Sequence, residues 1–356
     1  MRIAIAGGTG FLGSPLAEVY AEEGHDVRLL TRSLGPGTSR HESGTGVPGI
    51  TRIGWSPDGR SGAWRSAIDG SDAVVNLAGE TIGDKRWTPA RKATLRDSRL
   101  LATRSLVAAL AECDERPPVF VSASGVGYYG DGGDETKTED SPAGTDFLAH
   151  LCEDWEAEAR KAEKSGVRVA IVRTGLVLER SGGALPRMMT PFKFFAGGPL
   201  GSGRQYMSWI HRLDWVEMVR WIVATEAAAG TFNATAPHPV TNRQFARALG
   251  RALHRPALLP TPGFALRLLV GEFADSILTG QRVIPARAKG MGYHFRYPEI
   301  DIAFRGLFGE YPQLSAFGKG GLSPFRGLRK GDSPPFSLLT GFAKNRRVRR
   351  PGRARW

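Results

Sequence analysis

The sequence predicts an α/β fold, in which a doubly wound parallel sheet is followed by a small C-terminal α/β lobe and a disordered basic tail. Three observations support this prediction. Strand-like apolar runs alternate with amphipathic helical runs up to Thr174, which is typical of a parallel sheet covered by helices on both faces. A glycine-rich turn joins the first strand to the first helix. Beyond Thr174 the alternation weakens into loops rich in Gly and Pro, so a smaller lobe is expected from about residue 175.

The alternating runs predict strands and helices along the first half of the chain. Strands are expected at residues 2–6, 26–30, 50–55, 73–77, 119–122 and 167–172, and helices at residues 11–23, 89–113 and 147–164. Parallel strands joined by right-handed crossovers place their carboxyl ends along one edge of the sheet. A cofactor is therefore expected at that edge.

The turn after the first strand has the composition of a phosphate-binding loop. Its glycines recur at every third residue, and the residues expected to contact a cofactor here are Gly7, Thr9, Gly10, Phe11, Leu12 and Gly13. Glycines let a pyrophosphate approach the backbone N–H groups at the start of the helix. The GxxGxxG spacing differs from GxGxxG and resembles the nucleotide site of the extended short-chain dehydrogenases/reductases. The predicted fold is therefore Rossmann-like.

The end of the second strand indicates which dinucleotide binds. An acidic residue at this position hydrogen-bonds the ribose 2′-OH of NAD(H), whereas an arginine accommodates the 2′-phosphate of NADP(H). Here the strand ends in Thr31, Arg32 and Ser33. The sequence therefore predicts NADP(H), with Arg32 as the phosphate ligand and the two hydroxyls as neutral helpers. The alternative is that Arg32 is a solvated loop charge.

Charge and cysteine content limit the classes of partner. The net charge is +13, but residues 309–356 carry +9 of it, with eleven basic residues against two acidic ones. This tail is either a weak nucleic-acid contact or a functionless extension, and the remaining +4 gives the folded part no nucleic-acid signature. Two cysteines and the absence of a membrane-length apolar run predict a cytoplasmic protein with no membrane partner. The expected partner is a small-molecule substrate, and a homodimer is left open.

Several runs further along the chain resemble one family. Residues 76–80 read Asn-Leu-Ala-Gly-Glu, residues 122–130 read Ser-Ala-Ser-Gly-Val-Gly-Tyr-Tyr-Gly, and Trp155-Glu156 follows on the next helix. Near the C-terminus, residues 260–262 read Pro-Thr-Pro and residues 281–285 read Gln-Arg-Val-Ile-Pro. Together they resemble the epimerase family of extended short-chain dehydrogenase-like proteins (the YfcH- and SDR39U1-like family), which ends in a domain of unknown function, DUF1731. The resemblance covers residues 1–308.

The resemblance implies a domain organisation and further cofactor contacts. Residues 1–240 would form an NAD(P)-binding epimerase/dehydratase domain, residues 250–308 a DUF1731-like domain and residues 309–356 the tail. The further residues expected at the cofactor are Asn76, Ala78, Gly79, Glu80, Arg99 and Arg173. Arg173 has an alternative interpretation as a structural ion pair.

The catalytic pair of short-chain dehydrogenases is missing. These enzymes use a Tyr that passes a proton to the substrate and a Lys four residues later that lowers the pKa of that Tyr. None of the seven tyrosines is followed by Lys at this spacing, and Leu148 and Cys152 occupy the two positions. The catalytic candidates that remain are Ser124, with Ser122 as its alternative, and Tyr129 in the loop after the same strand.

Other polar residues have both a functional and a structural interpretation. Tyr128 and Glu80 are further candidates for a proton donor. Cys152 is either a reactive thiol or a core residue. His211 is either a general acid or a neighbour of Asp214, which would cap the helix that follows. Trp155 and Trp209 are expected to pack rather than to stack on a substrate. No metal site is expected, because no His/Cys cluster has the spacing of metal ligands.

The sequence thus predicts an NADP(H)-binding oxidoreductase or nucleotide-sugar-epimerase-like enzyme that acts on an unknown small substrate without the usual Tyr/Lys pair. The alternative is a non-catalytic NADP(H)-binding sensor or regulatory protein.

Overall fold

The main sheet consists of seven parallel strands and one antiparallel edge strand. The computed structural model describes residues 1–33, 42–44 and 47–309, and the predicted tail from residue 310 onward lies outside them. Across the sheet the order is β12 (Gly230–Ala234), β8 (Arg168–Thr174), β6 (Val119–Gly125), β5 (Ala73–Asn76), β1 (Arg2–Ala6), β2 (Asp26–Thr31), β4 (Ile50–Gly54) and the antiparallel β3 (Glu42–Gly44). The prediction of a doubly wound parallel sheet is confirmed.

The order of the strands reverses beside β1. The chain passes from β1 to β2 and β4 on one side and then returns to β5, β6, β8 and β12 on the other. In open α/β sheets, ligands bind outside the carboxyl ends of the strands where the order reverses. The carboxyl ends of β1, β2 and β5 therefore border the expected ligand position.

The helices cover both faces of the sheet because β1 alternates its side chains between two cores. Ile3 and Ile5 belong to a core with α1 (Gly13–Glu22) and α5 (Arg212–Ala224). Ala4 and Ala6 belong to a second core with α2 (Pro89–Ala111) and α3 (Phe147–Arg160). Such alternation at every second residue is what a strand buried on both faces requires.

The helix boundaries follow from local capping. The side chain of Thr88 accepts a hydrogen bond from the N–H of Arg91, with Pro89 in the first turn of α2. The side chain of Asp146 accepts from the N–H of Ala149 at the start of α3. Helix α3 ends at Arg160, earlier than predicted, because residues 161–165 tighten into a 3-10 turn that Gly166 ends with a φ of 77°.

Most elements outside the main sheet and its flanking helices belong to a smaller lobe with its own core. These elements are β7 (Thr136–Lys137), β9 (Leu176–Leu178), α4 (Leu185–Lys193), β10 (Tyr206–Met207), β11 (Trp209–His211), β13 (Val240–Thr241), α6 (Asn242–Leu253), α7 (Gly263–Val270), α8 (Phe273–Leu278), β14 (Arg282–Val283), α9 (Ala286–Gly290) and α10 (Ile300–Phe308). Of these, α9 packs on the main sheet through Ala288. Trp209, Phe245 and Phe304 are at the centre of the smaller lobe. Within the described residues, no helix is long and apolar enough to cross a membrane.

Candidate functional site

The glycine-rich turn between β1 and α1 is closely packed against the loop after β5. Gly7 has a φ of 78°, and a Cβ there would lie 2.7 Å from the carbonyl carbon of Leu77. A Cβ at Gly13 would lie 2.3 Å from the carbonyl oxygen of Gly7. Only glycine fits these two positions, because the atoms that a side chain would meet belong to the backbone.

The start of α1 is open to an anion. Leu12 precedes the helix without a side-chain cap, and the first turn contains no acidic residue. The first N–H groups of a helix have no partner inside the helix and carry the positive end of its dipole. Among the described residues, a Cβ at Gly10 would come within 4 Å of one atom, the Gly7 carbonyl oxygen at 3.2 Å. These residues therefore fit a pyrophosphate lying across the turn.

Phe11 connects the glycine-rich turn to the segment before α4, whereas Thr9 is exposed. The Phe11 ring packs against Gly182 and Gly183, where an added Cβ would lie 2.8 and 2.9 Å from ring atoms. Arg212 lies over the same ring, 5.6 Å from its centroid. The segment before α4 thus lies against the glycine-rich turn.

The end of β2 presents Arg32 to solvent. The hydroxyl of Thr31 donates to the carbonyl oxygen of Ser33 at 3.1 Å and accepts from the N–H of Ser33 at 3.3 Å. This small turn leaves the Arg32 side chain 70% exposed, with Nη2 3.7 Å from Oε1 of Glu80. Thr31 is therefore occupied locally and shapes the turn, while the guanidinium of Arg32 can meet a phosphate.

The loop after β5 is anchored by Asn76. Its Nδ2 donates to the hydroxyl of Thr103 at 2.9 Å, and its Oδ1 accepts from the N–H of Ala78 at 3.2 Å. Trp155 donates to the same hydroxyl at 2.8 Å, so its indole belongs to the packing of α3 on α2. Asn76 is fully buried, and it holds the loop against the glycine-rich turn instead of reaching a ligand directly.

Arg99 holds the next part of this loop. Its guanidinium donates to the carbonyl oxygens of Leu95 and Glu80, both at 2.9 Å, and its Cγ and Cζ would lie 3.1 Å from a Cβ at Gly79. Burial lowers its pKa to about 10. Arg99 therefore holds the backbone of Gly79 and Glu80 against α2.

Arg173 forms a buried ion pair at the carboxyl end of β8. Its side chain is 3% exposed, and its Nε and Nη2 donate to the two carboxylate oxygens of Glu156 at 2.8 and 2.9 Å. Its Nη1 donates to the hydroxyl of Tyr129 at 2.9 Å and to the carbonyl oxygen of Glu139 at 3.3 Å. The geometry favours the structural ion pair over the predicted contact with a cofactor.

The two predicted catalytic hydroxyls belong to the same buried network. Ser124 donates to Glu156 at 2.8 Å, and Tyr129 donates to Oδ1 of Asn233 at 2.7 Å. Burial is the main cause that raises the pKa of Tyr129 to about 12. Both hydroxyls are thus buried and already bonded, which favours a structural role over the catalytic role predicted from the sequence.

An apolar surface of α3 faces the loop after β6. Leu148 lies 3.0 Å from where a Cβ of Gly127 would be, and the thiol of Cys152 donates to the carbonyl oxygen of Gly125 at 3.6 Å. Burial raises the pKa of Cys152 to about 11, so the thiol stays neutral. These contacts favour Cys152 as a core residue rather than a reactive thiol.

The prediction that Asp214 caps α5 is wrong. His211 itself caps α5, because its Nδ1 accepts from the N–H of Leu213 at 3.1 Å, and its ring stacks on Tyr297 at 3.9 Å. Burial lowers its pKa to about 3, which makes it a poor general acid at neutral pH. The carboxylate of Asp214 instead accepts from the backbone N–H groups of Arg296 and Tyr297, at 2.8 and 2.9 Å.

Sequence reasoning missed two buried residues that complete the network. Glu139 accepts from the N–H of Asn233 at 3.1 Å and from the N–H of Arg287 at 3.2 Å. Nothing near Glu139 or Asn233 in the sequence signals this contact, because the two residues are 94 positions apart. Among the described residues, no group of three or more His, Cys, Asp or Glu is placed to hold a metal ion.

Comparison with known proteins agrees with this architecture. The profile of the NAD dependent epimerase/dehydratase family matches residues 3–234, and the domain of unknown function DUF1731 matches residues 261–307. The crystal structure of human epimerase family protein SDR39U1 (isoform 2) with NADPH superposes with a TM-score of 0.77 at 36% identity, covering 86% of this chain and 99% of that one.

Relatives from a plant and a bacterium cover most of the chain. The Arabidopsis thaliana epimerase family protein SDR39U1 homolog, chloroplastic, is 40% identical over 309 residues, which are 86% of each chain. Mycobacterium leprae epimerase family protein ML0860 is 42% identical over 304 residues, which are 85% of this chain and 94% of that one. The resemblance inferred from the sequence motifs is confirmed, and this chain belongs to the NAD dependent epimerase/dehydratase family, in its SDR39U1-like, DUF1731-containing branch.

Proposed function

We propose that this chain binds NADP(H) and acts as an oxidoreductase- or epimerase-like enzyme on a small substrate. The observation that supports this most is the uncapped start of α1 beside the exposed Arg32, because one fits a pyrophosphate and the other a 2′-phosphate. The human relative crystallised with NADPH adds support. Residues 1–240 would hold the cofactor, and residues 250–308 would complete the substrate side.

Three parts of the cofactor have residues that would contact them. The N–H groups of residues 11–13 would bind the pyrophosphate in the space left by Gly10, whose own N–H donates to Gly7. Arg32 would bind the 2′-phosphate, and the loop from Ala78 to Glu80 would lie beside the adenosine ribose. A bound nicotinamide would supply hydride chemistry. The buried network around Arg173 would give the nearby sheet edge a fixed shape.

Titration calorimetry with NADPH and NADH tests the proposal. The wild-type protein should bind NADPH more tightly than NADH. Arg32→Glu replaces attraction by repulsion at the 2′-phosphate, so it should weaken NADPH binding by roughly tenfold or more and leave NADH binding nearly unchanged. The matched control is Arg116→Glu, an exposed arginine before the amino end of β6.

Two results would contradict the proposal. Equal losses of both cofactors in Arg32→Glu would remove Arg32 from the phosphate site. Failure of the wild-type protein to bind either cofactor would remove the site altogether.

A second function is favoured by one observation. Both predicted catalytic hydroxyls are buried and bonded, while Leu148 and a neutral Cys152 occupy the positions of the usual catalytic pair. A protein that binds NADP(H) without turnover would serve as a sensor of the cofactor. A screen of carbonyl compounds, followed by NADPH absorbance, separates the two: turnover supports the enzyme, and tight binding without turnover supports the sensor.

A further inference from the structure

Glu80 lies between two arginines of very different exposure. Its Oε2 is 3.2 Å from Nη1 of Arg91, and its Oε1 is 3.7 Å from Nη2 of Arg32. The Arg91 side chain is 9% exposed and also donates to the carbonyl oxygen of Thr81 at 2.6 Å. Its buried Nε has no hydrogen-bond partner among the described residues. In this Arg32–Glu80–Arg91 triad, the buried arginine is therefore fixed, and the exposed arginine is free to move.

Two residues of α2 fix the backbone of Glu80. Its N–H donates to the hydroxyl of Ser98 at 3.1 Å, and its carbonyl oxygen accepts from Arg99 at 2.9 Å. The carboxylate can therefore move only through its own side-chain torsions. It stays within reach of Arg91 in any arrangement of the loop that keeps these two bonds.

The position of this carboxylate is a difficulty for NADP(H). A negative charge beside the end of β2 attracts Arg32 and repels a 2′-phosphate, which is how acidic residues select NAD(H). Arg91 places a second positive charge on the same carboxylate, and solvent screens this interaction less than the one with Arg32, because the Arg91 side chain is only 9% exposed.

We infer that Arg91 sets the preference for NADP(H) by offsetting the charge of Glu80, so that Arg32 stays available to the 2′-phosphate. Arg91 is in this sense a positioning residue that acts on the cofactor through Glu80. The inference rests on the proposed NADP(H) function and goes beyond it by naming two residues that set cofactor choice.

Calorimetric titration of the wild-type protein and three variants with NADPH and NADH tests this inference. In Arg91→Met the dissociation constant for NADPH should rise roughly three- to tenfold, the size of one charge interaction near a protein surface, while that for NADH stays within about twofold. Arg91→Lys keeps the charge and should retain the preference for NADPH. The control Arg96→Met removes an ion pair with Asp154 from the same helix and should change neither constant.

The Glu80→Gln background provides the decisive comparison. Removal of the carboxylate should raise the ratio of NADPH to NADH affinity by itself, which tests the inference even where Arg91→Met does not fold. In the double variant Glu80→Gln/Arg91→Met, the loss caused by Arg91→Met should disappear, because no charge remains to be offset.

Different failures have different meanings. An equal loss of both cofactors in Arg91→Met, or a loss that persists in the double variant, shows that Arg91 only supports the loop and overturns the inference. An unchanged cofactor ratio in Glu80→Gln overturns it as well. If the wild-type protein binds neither cofactor, the proposed function itself fails.

Discussion

The ion pair between Glu156 and Arg173 should be one of the most sensitive points of the fold. Both side chains are almost completely buried, at 4% and 3% exposure, and they share two hydrogen bonds of 2.8 and 2.9 Å. Ser124 and Arg160 also donate to the same carboxylate. Glu156→Gln keeps the size of the side chain but removes its charge, which leaves the guanidinium of Arg173 buried without a counter-charge.

The expected loss of stability follows from this burial. Removing one partner of a buried ion pair costs about 3–5 kcal/mol, because the remaining charge is desolvated without compensation. With an unfolding entropy of about 2.1 cal/mol/K per residue over about 300 folded residues, that loss corresponds to a fall of roughly 5–8 °C in Tm. Replacing both partners in Glu156→Leu/Arg173→Met should cost less than the two single substitutions together, because neither charge is then left alone.

Thermal and urea unfolding followed by circular dichroism measure these effects. Glu153→Gln is the matched control, since Glu153 lies on the exposed face of the same helix, and it should change the free energy of unfolding by less than about 0.5 kcal/mol. A decrease of less than about 1 kcal/mol in the free energy of unfolding of Glu156→Gln would refute the reasoning, because an unpaired buried charge destabilises a fold by more than this. A large loss of NADPH affinity at unchanged stability would return Arg173 to the cofactor site.

Acid should destabilise the protein partly through His211, since burial lowers its pKa to about 3 while the unfolded chain takes up this proton below about pH 6.5. His211→Asn, which can still cap α5, should recover about 2 kcal/mol of the stability lost between pH 6.5 and 4.5 in urea unfolding, and an unchanged pH profile would contradict this. Burial raises the pKa of Asp214 to about 6, so this group stabilises the fold as the pH falls. Its effect is the same in the wild-type protein and in His211→Asn, and it cancels when the two are compared. Gly10→Val should fold but lose NADPH binding in calorimetry, because its side chain enters the space proposed for the pyrophosphate. Gly13→Ala should instead lower Tm, since its Cβ would lie 2.3 Å from the Gly7 carbonyl oxygen; normal binding by folded Gly10→Val protein would contradict the site.

The parts of the fold that depend on local pattern could be predicted from the sequence. Apolar runs place six of the seven parallel strands within a few residues, because burial on both faces makes consecutive positions apolar. The seventh, β12, lies beyond Thr174, where the pattern weakens and does not predict it. The close packing of the turn from Gly7 to Gly13 could also be predicted, since closely spaced glycines after a strand are typical of such a turn. The same holds for Arg32, whose place at the end of a strand is evident from the strand itself.

Contacts between distant segments could not be predicted in this way. Asp214 has the spacing of a helix cap, but its carboxylate binds N–H groups 82 and 83 residues away, and His211 caps the helix instead. Tyr129 lies in a loop after a strand, where catalytic groups are common, yet its hydroxyl donates a hydrogen bond to Oδ1 of Asn233 on β12. In both places the partner comes from an element that no local pattern identifies.

The buried network also has an evolutionary consequence. Its members come from distant parts of the chain and are hydrogen-bonded to one another: Ser124, Tyr129, Glu139, Glu156, Arg173 and Asn233. A single substitution leaves buried polar partners without a hydrogen bond, so a protein with only some of these residues replaced is less stable than one with all or none replaced. We therefore expect these six positions to change together in related proteins, so that a free hydroxyl for chemistry here arises only when several of them are replaced at once.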